Sequence, residues 1–500
     1  MQFLGIDIGN TAVKAGIFRD DGSLAASASR NHALIHTGPD TAELDPVQIL
    51  DDITAVIRDC ARVSSHVDAI AVSCMAEAFT PLSADLTPWY RCLLTQDLRG
   101  TGEAQEFERA FGARSIKEIT GQLVNAKFTA PKLRWLSAHL PGEVRASSCF
   151  SSWQGLCCIL FGFPPYCDYA IAGKTMLFDI TRNQWSPPLV EFAGISPGQL
   201  DTPVKAGTLL GRLSREKADW FGFSNRPLLV MGSFDQICTN IGSGAVPASE
   251  GTLGMGTVFC MVSHLPFSRR SELPAPFPAI PHLTPEYAVS TASVLTAGQA
   301  YDWILRACYG GEADPHGAAA QELPASPGGL LFFPYLAGSG TPSVNPRARG
   351  AFFGLSLSHT RGALVRAVME GAAYELRMNL EAIERISPPK RRLIVSGGCS
   401  RSNAWLQILG SVLRKDIAVS SVTNAGCLGA AMIAAFGAGR FPSFDAAIQE
   451  MRGPARSVCG PDPGLAEVYD GLYQVYRSLH PSVMVGSEAL ANLQRASGSA

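Results

Sequence analysis

Phe3-Leu4-Gly5-Ile6-Asp7-Ile8-Gly9-Asn10-Thr11 decides how the rest of the chain is read. An apolar strand carries one carboxylate, Asp7, and then breaks into a Gly/Asn/Thr turn whose backbone N–H groups can cradle an anion. Residues 12–18 read as the return strand, and Asp20-Asp21-Gly22 as the turn into a third. Asp45 to Arg62 has helical spacing: Ile49, Ile53, Val56, Ile57 and Cys60 share a face, and Asp45-Pro46 is a start signal. Val67 to Ser73 is a short apolar strand. Three strands, a helix and another strand predict a mixed α/β domain, not a doubly wound nucleotide fold.

The same signals return later. The apolar run Pro227 to Met231 ends in Gly232-Ser233-Phe234-Asp235-Gln236, a carboxylate followed by an amide, and residues 236–244 read as the start of a helix. Gly251-Thr252-Leu253-Gly254-Met255-Gly256-Thr257 leads into an apolar strand from Val258 to Val262, like the opening of a second domain on the plan of the first. Ser358 to Ile386 reads as one long helix, Arg392 to Ser396 as a strand ending in Gly397-Gly398, and Gly426 to Gly437 as a small-residue helix. The six prolines from Pro266 to Pro285 predict a surface excursion. The polar, small residues from Ser487 to Ala500 predict a frayed end.

A chain of 500 residues is too long for one ordinary core. Apolar content of 46% with 17% charge describes a well-buried globular protein, and a net charge of −2 gives no electrostatic case for nucleic acid. The 13 cysteines, an odd number with no Cys-x-x-Cys pair, suit reduced buried thiols and a cytoplasmic location. His32 and His36 lie four apart, but Gly38-Pro39 breaks the segment and no zinc pattern results. Asp7 interrupts the first apolar run, so it does not read as a signal peptide, and no stretch approaches a membrane span. A homodimer is one assembly these features leave open.

Phosphoryl transfer needs one carboxylate to accept a hydroxyl proton and another to manage Mg²⁺, so Asp235 and Asp7 are the candidates. Three glycine clusters fall just after strands, at Gly9, at Gly254 to Thr257, and at Gly397-Gly398, which suits a nucleotide held between two domains. Gly173-Lys174-Thr175 resembles the end of a P-loop, but the glycine required five residues before Gly173 is Asp168, so the match is discarded. Asp235 also has a plain reading, as a helix N-cap after a strand.

Taken together, the motifs resemble the FGGY carbohydrate kinases from about residue 2 to about residue 445. Gly5-Ile6-Asp7-x-Gly9-x-Thr11-x-x-Lys14 is similar to the first phosphate motif, and Phe128-Thr129-Ala130-Pro131-Lys132-Leu133-Arg134-Trp135 to the first signature. Gly350 to Leu355 with Arg366 to Gly371 is similar to the second signature. Ser396-Gly397-Gly398-Cys399-Ser400-Arg401-Ser402-x-x-Trp405 resembles the adenine-side motif. The resemblance implies two actin-like (ribonuclease H-like) ATPase domains, 1–245 and 246–445, with an interdomain cleft and a helical extension with a frayed tail over 446–500. It implies ATP and Mg²⁺, with Asp235 as base toward a small polyhydroxylated substrate and Asp7 at the metal. Thr11, Gly256 and Thr257 would hold phosphates, and Gly397, Gly398 and Asn403 would face the nucleotide.

The substrate side departs from the pattern. Glu77 can accept hydrogen bonds from substrate hydroxyls beside Asp235 and Gln236, but the arginine that precedes it in glycerol kinases is Ala76 here. Lys127 stands where glycerol kinases have an aromatic ligand. It is either a solvated surface lysine or, if it faces the cleft, a pointer to a carboxylated or more polar substrate. Asp97, Arg99 and Asp168 match family positions and read as supports of the site. The competing class is an actin-like regulator that uses ATP as a switch; the retained Asp235-Gln236 pair favours the enzyme.

Overall fold

The computed structural model describes residues 1–246, 249–454 and 457–496. Strands β1 (Gln2–Ile8), β2 (Ala12–Arg19) and β3 (Leu24–Asn31) form an antiparallel meander. Helix α1 (Pro46–Val63) crosses to β4 (Ala69–Cys74), which pairs parallel with β1. Asp45 caps α1 by accepting from the Val47 and Gln48 N–H groups, and the predicted face, Ile49 to Cys60, is buried. After α2 (Thr129–His139) and α3 (Tyr169–Gly173), strands β5 (Leu209–Arg212), β6 (Leu228–Val230) and β7 (Ser233–Phe234) complete a seven-stranded sheet. Its order is β5-β6-β4-β1-β2-β3, with β7 beside the end of β4. Helix α4 (Asp235–Gly242) follows.

A second seven-stranded sheet repeats this plan. It is built from β8 (Glu250–Met255), β9 (Phe259–Pro266), β10 (Ile280–Pro281), β11 (Tyr287–Val294), β12 (Arg392–Ser396), β13 (Asp416–Val419) and β14 (Ser457–Cys459). The order is β10-β11-β9-β8-β12-β13-β14. β8 and β9 form the opening hairpin as β1 and β2 do, and β12 lies parallel to β8 as β4 does to β1. Helices α5 (Ala297–Tyr309), α6 (Pro315–Glu322), α7 (Arg361–Glu384), α8 (Asn403–Leu413), α9 (Ala425–Gly437) and α10 (Pro463–Ala496) accompany this sheet in sequence.

Two expectations are corrected. The proline-rich stretch 266–285 is a surface excursion only at its start, where Ser268, Arg269, Ser271 and Glu272 are exposed; Phe277, Ala279 and Ile280 are buried, and β10 adds an edge strand to the second sheet. Proline is tolerated there because an edge strand has one side without ladder partners. The C-terminal stretch is no frayed tail through residue 496, since α10 docks on α7. Tyr469 donates to Glu370 (2.8 Å), Tyr476 to Glu375 (2.6 Å) and Tyr473 to Glu381 (2.8 Å), while Arg377 bonds Asp470 (2.6 Å). Residues 497–500 lie outside the described residues. β14, within the supposed extension, is the last strand of the second sheet.

Helix α9 makes the connection that matters for function. It belongs in sequence to the second half, yet it packs on β1, β4 and α4 of the first. Glycine allows this. A Cβ on Gly5 would lie 1.8 Å from the Cys427 carbonyl oxygen, one on Gly242 1.9 Å from that of Ala425, and one on Gly429 1.9 Å from that of Cys238. Backbone meets backbone at each point. Gly429→Ala should therefore destabilise the protein by about 3 kcal/mol, because a main-chain contact has no rotamer with which to yield. Gly102→Ala, with nothing within 4 Å of the added carbon, should stay within about 1 kcal/mol of the parent, on the stabilising side. Urea midpoints of the two variants check the contrast.

Candidate active site

The parallel strands β1, β4 and β7 set Asp7 beside Ser73 and Ser73 beside Ser233. Ser73 donates to Asp7 Oδ1 at 2.7 Å, and Ser233 donates to Asp168 Oδ2 at 2.8 Å. Asp168 also caps α3 by accepting from the Ala170 and Ile171 N–H groups. It therefore ties the short helix that ends at Lys174 to the strand that delivers Asp235. Asp97 and Arg99 are likewise supports: Arg99 is buried between Asp97 and Glu43, and Asp97 also accepts from the Ala42 N–H at 2.9 Å.

Asp235 is the first residue of α4, not its cap; that place is taken by Phe234. Its Oδ1 is sealed from solvent and has no hydrogen-bond partner. Burial, with the charges of Asp7 and Glu77 nearby, pushes its carboxyl up to about 8. Asp7 is also raised by burial, against the opposing pull of Ser73 and of Lys14 across the β1–β2 ladder. Gln236 Oε1 faces Cys260 Sγ, 4.0 Å away on β9, so the second domain reaches this site.

Glu77 has φ +60°, a left-handed backbone that a non-glycine residue adopts only when its surroundings hold it. Here Lys132 Nζ donates to its carbonyl at 2.8 Å and Thr129 Oγ1 at 3.2 Å, both from α2. Its carboxylate pairs with Lys174 Nζ at 2.6 Å, and each side chain is only 6% exposed. Burial pushes the Glu77 carboxyl up, but the ammoniums of Lys174 and Lys127 outweigh it and leave the group below its ordinary value. Lys127 is half-buried at the same place, its Nζ 5.0 Å from the Phe128 ring centre, so it is no solvated surface lysine. Lys174, discarded as a P-loop remnant, is the cation that the sequence reading missed. Nothing local marks it; only the fold carries α3 to Glu77.

Across the cleft, a cavity of about 760 Å³ is lined by Gly256, Thr257, Tyr301, Gly398, Arg401 and Trp405, among others. Thr11 is exposed at the β1–β2 turn, and Gly256 and Thr257 at the β8–β9 turn. Gly397 stands behind Gly398 with φ +100°, where a Cβ would lie 2.7 Å from the Met255 carbonyl oxygen. Asn403 is exposed at the start of α8 and is not among the lining residues; Arg401 and Ser402 reach the cavity instead. Tyr301 and Asp302 of α5 and His316 of α6 complete the wall, and no motif announced them.

Two domains built on one α/β plan, with Asp7 and Asp235 buried at neighbouring strand ends of the first, suit phosphoryl transfer. The chain matches the N-terminal domain of the FGGY family of carbohydrate kinases over residues 2–242 and the C-terminal domain over 251–438, and it belongs to that family. It is 27% identical to a gluconokinase of Bacillus subtilis, over 89% of each chain. It is 26% identical to a xylulose kinase of Escherichia coli, over 97% of this chain and 99% of that one. Among solved structures, a xylulose kinase from Rhodospirillum rubrum superposes with a TM-score of 0.88 at 27% identity, covering 97% of this chain and 100% of that one. A gluconate kinase from Lactobacillus acidophilus shares the fold (TM-score 0.89, 21% identity, 98% and 100% covered). The protein is thus a carbohydrate-kinase-family phosphotransferase that uses ATP with Mg²⁺.

The residues present suit those ligands. Asp235 Oδ1 and Asn10 Oδ1 are buried without partners, and a Cβ on Gly398 would meet nothing within 4 Å, so backbone is open to a ligand there. Among the described residues no cluster of three or more metal-ligating side chains exists. Mg²⁺ does not need one, since phosphate oxygens and water supply most of its shell. The same crowding of carboxylates sets the response to pH. Because the Asp235 carboxyl is raised in the folded state, chiefly by burial, that state holds its proton longer, and this group's contribution to stability declines as pH climbs from about 4 to about 8. Asp235→Asn should raise the Tm of the ligand-free protein by about 2 °C or more at pH 8.5, a gain that shrinks toward zero near pH 4. Calorimetry at the two pH values is the check.

Proposed function

We propose that the protein transfers the γ-phosphoryl group of ATP to a hydroxyl of a small sugar, polyol or sugar acid, with Asp235 as general base. The observation that carries this is the orphaned, buried Asp235 Oδ1, a strong acceptor left without a donor where Gln236 meets Cys260 of the second domain. A hydroxyl placed there gives its proton to Asp235 as its oxygen bonds to the γ-phosphorus. The bond from that phosphorus to the bridging oxygen breaks, and its electron pair leaves with ADP. Glu77, Gln236 and Lys127 would orient the acceptor. Thr11, Gly256, Thr257 and Gly398 would hold the nucleotide and its phosphates, with Asp7 toward the metal. Bound Mg²⁺ supplies charge neutralisation, which removes one of the causes that keep Asp235 protonated.

The relatives named xylulose kinase and gluconokinase support a sugar or sugar acid as acceptor. All thirteen cysteines are free, and no helix among the described residues is long and apolar enough to cross a membrane, which supports work in the reducing cytoplasm.

The test is ADP release with Mg-ATP across tetritols, pentitols, ketopentoses, ketohexoses and aldonic acids. One compound class should stimulate release, and Asp235→Asn should lower kcat by about 10²–10⁴-fold while ATP affinity is kept. Near-normal turnover in that variant would remove Asp235 from its role.

A further inference from the structure

We propose that the acceptor is anionic: it carries a carboxylate, and Lys127, with Lys174 beside it, is the group that reads that charge. This rests on the kinase reading above and specifies its substrate.

The argument begins with a count of charges. Around Glu77 the fold gathers three ammoniums: Lys132 is spent on the Glu77 and Leu94 carbonyls, at 2.8 and 2.6 Å, with Asp97 as its opposing charge, which leaves Lys174 and Lys127 to the Glu77 carboxylate. Lys174 is committed to Glu77 at 2.6 Å, in a pair almost closed to solvent. Lys127 Nζ has no hydrogen-bond acceptor and no ion-pair partner within reach among the described residues; only its backbone N–H is bonded, to Asn125 Oδ1 at 3.0 Å. The two ammoniums share the Phe128 ring, at 5.0 and 5.4 Å from its centre. One positive charge is therefore left over in a half-buried place, next to another of the same sign.

Such an arrangement is costly when empty. The neighbouring Lys174 ammonium, and then burial, push the Lys127 ammonium down to about 8; Glu77 opposes the shift, and Cys260 of β9 faces the group from the other domain. A neutral polyol would leave this cation unmatched. A carboxylate would match it and offer oxygens to a rotatable donor. The place is right for an acceptor, because Glu77 and Lys174 both act electrostatically on Asp235, and Lys174 Nζ lies 5.5 Å from the ring centre of Phe234, the residue before it. Lys127 stands beside Glu77 and Lys174, the two groups that act on Asp235, which favours the acceptor over the γ-phosphate as the anion it meets.

The experiment compares aldonates of four to six carbons with the alditols of the same chain, in which a CH₂OH replaces the carboxylate, using the parent enzyme, Lys127→Met and Lys127→Arg. The parent should prefer an aldonate. Lys127→Met should raise the aldonate KM about 10- to 100-fold, change kcat and the KM for ATP little, and narrow the preference for the acid. Lys127→Arg should keep most of that preference. A best response to an alditol or a ketose would overturn this inference and leave the kinase reading standing. So would an unchanged aldonate KM, or a rise confined to the KM for ATP, which would assign Lys127 to the phosphate. No acceptor-stimulated ADP release from any compound would overturn the kinase reading, and this inference with it.

Discussion

Main chain touches main chain where α9 crosses onto the first sheet, and the cleft depends on that contact. Gly5, Gly242 and Gly429 remove the side chains that would hold β1, α4 and α9 apart. Gly426, at the head of α9, sits against the Asp7 carboxylate, where a Cβ would lie 2.6 Å from its Oδ2. The same stretch of backbone thus joins the domains and seals one side of the metal-side carboxylate.

On that floor the charges oppose one another by design of the register. Parallel strands place Asp7, Ser73 and Ser233 in one row, and the next turn adds Asp235. Three carboxylates, Asp7, Asp235 and Glu77, then share a buried region, where burial and the charges of Asp7 and Glu77 disfavour the ionisation of Asp235. Only Glu77 has an internal counter-ion at contact distance. Asp7 and Asp235 are left for ligands to neutralise, which is why they sit above their ordinary range while Glu77 sits below. The site is therefore divided: one part is neutralised by the protein itself, and the other awaits metal, nucleotide and acceptor.

Much of the fold was legible because its signals are local. Asp45-Pro46 followed by a regular apolar face admits one reading, and the cap and buried face are where that reading puts them. The strand-turn-strand openings at Asp7 and Gly254 repeat for the same reason, since alternation and glycine suffice to mark a hairpin. Position within a sheet is a different matter. Nothing in the prolines of 266–285 says that an edge strand waits for them. Likewise, the small residues after Ser487 conceal a helix whose stability comes from tyrosines further back, at 469, 473 and 476. The motif marks Asn403 as a nucleotide contact; the residue lies exposed at the start of α8, beside Arg401 and Ser402 of the cavity wall.

Lys174 shows the limit from the other side. Its sequence context resembles the end of a phosphate loop, but Asp168 stands where that loop needs glycine, so no motif assigns the residue a role. A lysine at the end of a five-residue helix has no intrinsic role. It gains one because Asp168 ties that helix to Ser233 and because Lys132 and Thr129 hold Glu77 in a left-handed turn facing it. Ala76 lacks the arginine that resemblance to glycerol kinases would supply, yet the cation is present, delivered from about 100 residues away. A charge supplied by a separate element can be tuned independently of the glutamate it faces. With Lys127 beside it, the balance at Glu77 passes from neutral to positive. In a fold whose catalytic row is fixed by strand register, that is the route by which acceptor preference can change while the phosphoryl-transfer machinery stays in place.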